Sequence, residues 1–271
     1  VLAHYAIHEF GLGVVLACDA LRISRCTFYY QRKSIDDNDI IEAVSDIAEK
    51  HRAYGFRKIF KRLRLLGHKW NHKRVYRVYC GLKLNLRRKV KKRLPSRKPE
   101  PLAVPAKVNE CWSMDFMSDN LFSGKSFRTF NVIDDYHREA LAIEVDSSLP
   151  AQRVIRVLDR IAAYRGYPKR LRQDNGPEFI SNALEVWAEE HGIKLDFIKP
   201  GKPTQNAYIE RFNRTYRNEV LDSYLFNSLT EVREITDSWI EEYNYDRPHE
   251  SLNDLPPKIY ERLNEENSLK I

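Results

Sequence analysis

Between residues 108 and 226 the hydrophobic period of the chain changes repeatedly, and the order of those changes restricts the fold more than any other feature. Cys111–Met117, Ser126–Ile133 and Ala140–Val145 are short stretches that read as three successive strands. Ala151–Tyr164 then repeats Val154, Ile155, Leu158, Ile161 and Ala162 at helical spacing. A strand at Lys169–Arg172, a helix at Pro177–His191, a strand at Ile193–Ile198 and a helix at Tyr208–Leu221 follow. Three strands and then alternating helices and strands predict an α/β domain, a mixed sheet covered by helices. Thr230–Tyr245 predicts one more helix before a Pro-rich tail.

The region upstream has a different texture. Ile40, Ile41, Val44, Ile47 and Ala48 predict a helix within Asp36–Arg52. Phe56–Leu66 predicts a second, ended by Gly67, and Asn71 is placed to cap a third over His72–Cys80, ended by Gly81. Three helices with a tight turn before the last, and Lys73, Arg74 and Arg77 on that last helix, suit a DNA-binding helix-turn-helix. A weaker signal of the same kind lies in residues 1–34, where Ser24 is a candidate cap before Arg25–Tyr30.

Charge separates the two regions. From Arg57 to Lys98 there are 18 Lys or Arg and no acid, within a chain of net charge +8. The other 229 residues therefore carry 28 basic and 38 acidic side chains. A basic part joined to an acidic remainder is expected of a polyanion-binding region attached to something with another task. The basic run peaks at Arg87, Arg88, Lys89, Lys91, Lys92 and Arg93 and passes into Pro95, Pro99, Pro101 and Pro105. That composition predicts an extended linker able to lie along phosphates. The organisation is thus a helical segment at 1–34, a basic helical region at 35–84, a linker at 85–107, the α/β core at 108–226 and a helix and tail at 227–271.

Four scattered cysteines with no close pair argue against a disulfide framework and for a reducing compartment. His4, His8, Cys18 and Cys26 hint at zinc, but seven residues separate the two cysteines, and ordinary buried thiols are expected instead. No apolar run approaches the roughly 20 residues of a membrane helix, so a cytoplasmic protein without membrane contact is expected.

Three carboxylates in the α/β region are placed to meet. Asp115 lies in the first predicted strand, Asp174 ends the fourth beside Asn175-Gly176, and Glu210 lies on the helix after a Gly- and Pro-containing loop. Asn213, Arg214 and Arg217 share a neighbouring face of that helix. Converging carboxylates repel one another at neutral pH, and hard divalent cations relieve the repulsion. Oxygen ligands suit Mg²⁺ or Mn²⁺, and two such ions can drive an in-line phosphodiester displacement. Asp134, Asp135 and Glu178 have the same chemistry, and Glu178 is the strongest rival.

The spacing of Asp115, Asp174 and Glu210, the last two with 35 residues between them, resembles the D,D(35)E signature of transposases and retroviral integrases. Trp112-Ser-Met-Asp-Phe, Asp174-Asn-Gly-Pro-Glu-Phe and Gly201-Lys-Pro-Thr-Gln-Asn-Ala-Tyr-Ile-Glu-Arg-Phe-Asn are similar to OrfB-type transposases of bacterial insertion sequences. So are Tyr54-Gly-Phe-Arg upstream and Tyr243-Asn-Tyr-Asp-Arg-Pro-His-Glu-Ser-Leu downstream. The resemblance spans residues 35–262 and implies a ribonuclease-H-like core with two Mg²⁺ or Mn²⁺ ions on Asp115, Asp174 and Glu210. It further implies cleavage at element ends and 3′-hydroxyl strand transfer in the bacterial cytoplasm, on the nucleoid. The DNA is that of terminal repeats and target, touched by Lys202, Arg214 and Arg217 besides the upstream basic residues. An OrfA-type partner or fusion and self-association in a synaptic complex are implied as well. A DNA-binding regulator with an idle acidic site is the competing expectation.

Overall fold

The computed structural model describes residues 2–30, 36–86, 105–174, 176, 179–198 and 206–268, with side chains to 266. They fall into two compact units, Val1–Ile40 and Ile41–Ile271. In the first, α1 (Leu2–Phe10), α2 (Val14–Ala20) and α3 (Arg25–Tyr29) are short helices. Ser24 caps α3, its hydroxyl oxygen accepting from the Thr27 N–H at 3.1 Å. Cys18 is buried, but Cys26 is exposed, which corrects the expectation that both are buried thiols. Two residues beyond the Ser24 cap, Cys26 lies in the first turn of a five-residue helix that buries none of its side chains.

The second unit opens with α4 (Asn38–Lys50, straddling the boundary), α5 (Phe56–Leu65) and α6 (His72–Gly81). Val44, Ile47, Ile59, Leu63, Val75 and Val78 are buried. Gly67 takes φ +91°, a backbone that closes α5 and that side chains rarely adopt. The Asn71 side chain accepts from the Lys73 N–H at 2.9 Å and starts α6. Gly81 belongs to α6 rather than ending it, and Leu82 is the cap. We expect Asn71→Ala to lower stability by about 1 kcal/mol in urea titrations, because one N–H at the helix start loses its acceptor.

The core is a five-stranded sheet in the order β3-β2-β1-β4-β5. Its strands are β1 (Trp112–Asn120), β2 (Ser126–Asp134), β3 (Ala140–Asp146), β4 (Arg170–Gln173) and β5 (Lys194–Phe197). The first three form an antiparallel meander, and β4 and β5 run parallel to β1. This is the mixed α/β sheet that the order of elements predicts. Strand alternation sends Trp112, Met114, Phe130 and Leu171 to one face. There α7 (Ala151–Arg165) and α8 (Asn182–Glu190) cover them with Val154, Leu158, Ile161, Leu184 and Trp187. The expected helix from Pro177 is shorter than predicted: Ser181 caps it, accepting from the Leu184 N–H at 3.3 Å.

The other face carries Phe127, Ile133, Ile143 and Val145. It packs on α9 (Ala207–Tyr216) and α10 (Leu229–Tyr245) through Ile209, Phe212, Tyr216, Trp239 and Tyr243. One continuous helix to Leu221 is predicted, but its last turn, Arg217–Leu221, widens to a π-helix. The Pro-rich tail also differs from expectation, since Pro257 starts a further helix, α11 (Pro257–Ser268). No helix among the described residues is long and apolar enough to cross a membrane.

Candidate active site

Strand pairing places the first two acids. In the parallel β1–β4 ladder Ser113 stands opposite Arg172, so two residues further along each chain Asp115 and Asp174 lie at the same level on the same face. That face is the one covered by α9, and the Asn213 amide on α9 donates to Asp115 Oδ2 at 2.8 Å. Glu210 lies three residues before Asn213, hence beside it on the helix surface. Asp115 is half-buried and Asp174 is partly exposed, while Glu210 is exposed.

The electrostatics match that placement. Burial pushes the Asp115 carboxyl up to about 6, and the charges of Asp174 and Glu210 push in the same direction. The Phe116 N–H, which donates to Asp115 Oδ1 at 2.8 Å, and the Asn213 amide act against the rise. Asp174 Oδ1 accepts the Gly176 N–H at 2.9 Å, a local turn that orients its carboxylate at the strand end. The donor set is three carboxylates, hard oxygen ligands of the kind suited to Mg²⁺ or Mn²⁺. The rivals behave otherwise. Asp135 is fully buried and bonded by Arg172 at 2.8 Å, and Asp134 is fully buried and accepts from the Asn109 N–H at 2.9 Å. Glu178 lies outside the described residues.

Sequence reasoning put Asn213 near Glu210 but missed what it does. Its carbonyl oxygen accepts from the Asn131 amide at 2.7 Å, and Asn131 is the cross-strand partner of Asp115 on β2. A chain of two buried amides therefore locks the Asp115 carboxylate to both β2 and α9. Only the pairing register brings Asn131 next to Asp115.

The basic candidates are spread more widely. Lys73 and Arg77 are exposed on α6 and Arg74 is half-buried. Arg214 is exposed on α9, one turn past Glu210. Arg217 bonds the Ser118 carbonyl at 2.9 Å and pairs with Asp119 at 3.3 Å, at the far end of β1. Arg87, Arg88, Lys89, Lys91, Lys92, Arg93 and Lys202 lie outside the described residues.

A second cluster has no counterpart in the sequence reading. His137, Glu139 and Glu261 hold their ligand atoms within 4.8 Å of one another, unlike the three acids above. Its carboxylates are already paired: Arg165 reaches Glu139 at 2.5 Å and Lys258 reaches it at 2.7 Å. Burial opposes a charge on His137, but Asp134, Glu139 and Glu261 overcome it and raise its pKa to about 10. The cluster is a charged tether between α11, α7 and the β2–β3 turn.

Integrase core domain models match residues 105–203 and 191–257, and an HTH-like domain model matches residues 35–93. A 31.7 kDa protein of insertion element IS407 from Burkholderia multivorans is 40% identical over 90% of this chain and 88% of its own length. A 39.2 kDa protein of insertion element IS476 from Xanthomonas euvesicatoria is 38% identical over 89% of this chain and 70% of its own. The transposase for insertion sequence element IS629 of Shigella sonnei is 25% identical over 94% of this chain and 92% of its own. Among solved structures, the HTLV-2 integrase catalytic core domain in complex with magnesium overlays 52% of this chain and 88% of that one. Identity there is 16% and the TM-score 0.43, a loose likeness.

Proposed function

Since the chain belongs to the OrfB-type transposases of insertion sequences, with their integrase core, we propose that it cuts its element's ends and carries out strand transfer. Hydrolysis of a phosphodiester exposes a 3′-hydroxyl, and that hydroxyl attacks a second DNA strand by direct transesterification. The observation that carries this reading is the convergence of carboxylates from β1, the end of β4 and α9 on one sheet face.

Asp115, Asp174 and Glu210 would hold the two Mg²⁺ or Mn²⁺ ions. When bound, such ions activate a water or hydroxyl and stabilise the leaving oxygen of an in-line displacement. The chain's own share is positional. Asn213 and Asn131 fix the Asp115 carboxylate so that little reorganisation remains when substrate arrives. Lys73, Arg74 and Arg77, with the 87–93 segment, grip DNA. Lys202, Arg214 and Arg217 contact the strand near the glutamate. The proposed domains are the helical segment at 1–34, the DNA-binding region at 35–84, the linker at 85–107, the catalytic core at 108–226 and the C-terminal part at 227–271. An OrfA-type partner, supplied separately or as a fusion, and self-association complete the assembly on terminal-repeat and target DNA.

The test is to incubate the protein, with and without its upstream partner, with element-end duplexes and Mg²⁺. Metal-dependent 3′-hydroxyl ends followed by joined products are expected. Binding without any cleavage in either arm would identify an idle regulator, and cleavage that never yields joined products a plain nuclease. Either result overturns the proposal.

A further inference from the structure

Behind α9, away from Glu210, lies a cavity of about 380 Å³ whose lining contains seven Lys or Arg against two acids. Charge pairing accounts for part of that excess. Lys58 and Arg247 both bond Glu219, and Lys61 is taken by Asp254. Arg57, Arg138, Arg211 and Arg214 remain, with no close ion pair among the described residues, although Arg138 also lies in the field of Asp135. Arg57, Arg211 and Arg214 are exposed.

Arg138 is the most specific of the four. It sits in the β2–β3 turn at φ +63°, a backbone that disfavours a side chain of its size. Its guanidinium lies 3.5 Å from the ring centroid of Tyr208, in the first turn of α9. Stacking fixes the plane of the group but satisfies none of its N–H donors, and Nη1 is buried without a hydrogen-bond partner. Half-buried Arg138 thus lends an oriented positive charge to the wall of a cavity that Arg57, Arg211 and Arg214 also line, and the ligand that suits several guanidinium groups is a phosphate.

We propose that this cavity binds a backbone phosphate of the DNA on which the enzyme acts, a proposal that rests on the transposase reading. At 100° per residue Tyr208 lies on the opposite side of α9 from Glu210, and Arg211 and Arg214 bridge the two sides. A strand held in the cavity thus passes around α9 within about one helix diameter, roughly 10 Å, of the acidic face. The site joins groups from four elements: Arg57 on α5, Arg138 on the hairpin turn, Tyr208 with Arg211 and Arg214 on α9, and the segment after α10 that holds Lys61 through Asp254. The helical region and the core then share one phosphate contact.

The experiment measures the anisotropy of labelled element-end duplex with metal chelated, over a salt series. It compares the full chain with the double variant Arg57→Gln/Arg211→Gln, with Arg211→Lys and with Arg138→Lys. Each lost phosphate contact makes the slope of log affinity against log salt shallower by about 0.9. The double variant should show that loss with an unchanged melting temperature, and both lysine variants should keep most of the slope. An unchanged slope in the double variant overturns the site. So does stabilisation of the wild type by inorganic phosphate with no effect of the variants on DNA, which would make it a free-anion pocket. Glu210→Gln, assayed for cleavage alongside, separates the two readings. Retained cleavage in Glu210→Gln with a reduced slope in the arginine variants sinks the catalytic assignment and leaves the phosphate site standing.

Discussion

Asp115→Asn lowers the rate of metal-dependent strand cleavage on the order of 10³-fold or more, and it makes the metal-free protein more stable. The two effects have one origin. The carboxylate is held half-buried beside two other acids, so its pKa is raised to about 6 from an ordinary value of 3.8. An acid whose pKa is raised by folding costs nothing while it is protonated in both states. The cost grows as pH rises from about 4 to 6 and is then constant, reaching up to about 3 kcal/mol. The amide introduced by the substitution carries no charge and keeps one carbonyl oxygen for the Phe116 N–H. Its NH2 meets the Asn213 amide and that bond is lost, which takes about 1 kcal/mol from the gain. In chelator-treated samples the variant should therefore gain in urea titrations at pH 7–8, and the gain should vanish below pH 4. A variant that loses cleavage without gaining stability refutes the electrostatic account, and one that keeps cleavage refutes the catalytic role. Trading stability for a charge-dense site is a recurrent cost of function.

Glu219→Gln is the second large effect, and it falls on stability alone. Glu219 lies in the π-helical turn after α9 and accepts from the nearly buried Arg247, from Lys58 on α5 and from the Trp239 indole. Burial alone would raise its pKa, but Arg247 and Lys58 hold it below the ordinary value. Removing the carboxylate leaves the Arg247 charge buried and uncompensated, which costs about 3–5 kcal/mol. Chemical denaturation should show that loss above pH 5. It should shrink as pH falls below 4.5, where the unfolded wild-type side chain is protonated and the stabilisation fades. Replacing Arg247 by Met in the same chain should recover part of it, since an apolar side chain needs no partner. A loss under 1 kcal/mol would mean that water screens the pair.

Much of the sheet was legible because its strands are short apolar runs bounded by turns, as at Ser126–Asp134, which is buried on both faces along most of its length. The helices α7 and α10 were legible because their apolar stripes are long. The π-helical turn was not, since Ile209, Phe212, Tyr216 and Val220 keep a spacing of three or four that an α-helix shares. The last helix was hidden by Pro256-Pro257, which reads as a breaker, although a proline is well tolerated in a first turn, where no N–H is needed. For the candidate site, residue type and spacing singled out the acids. The amide chain through Asn131 and the pairing of α11 with His137 depend on residues far apart along the chain, and no local pattern announces them.

The parallel neighbours β1 and β4 are separated by an antiparallel meander and α7, and α9 comes later still. On a ribosome, Asp115 therefore emerges long before the helix that anchors it, and a polypeptide cut short ahead of Ala207 has neither Asn213 nor the third acid. On the proposed reading, chromosome-breaking power is withheld until α9 has been made. Abortive translation products then carry the basic helices but no cutting centre, and they compete for the element's ends instead of severing them.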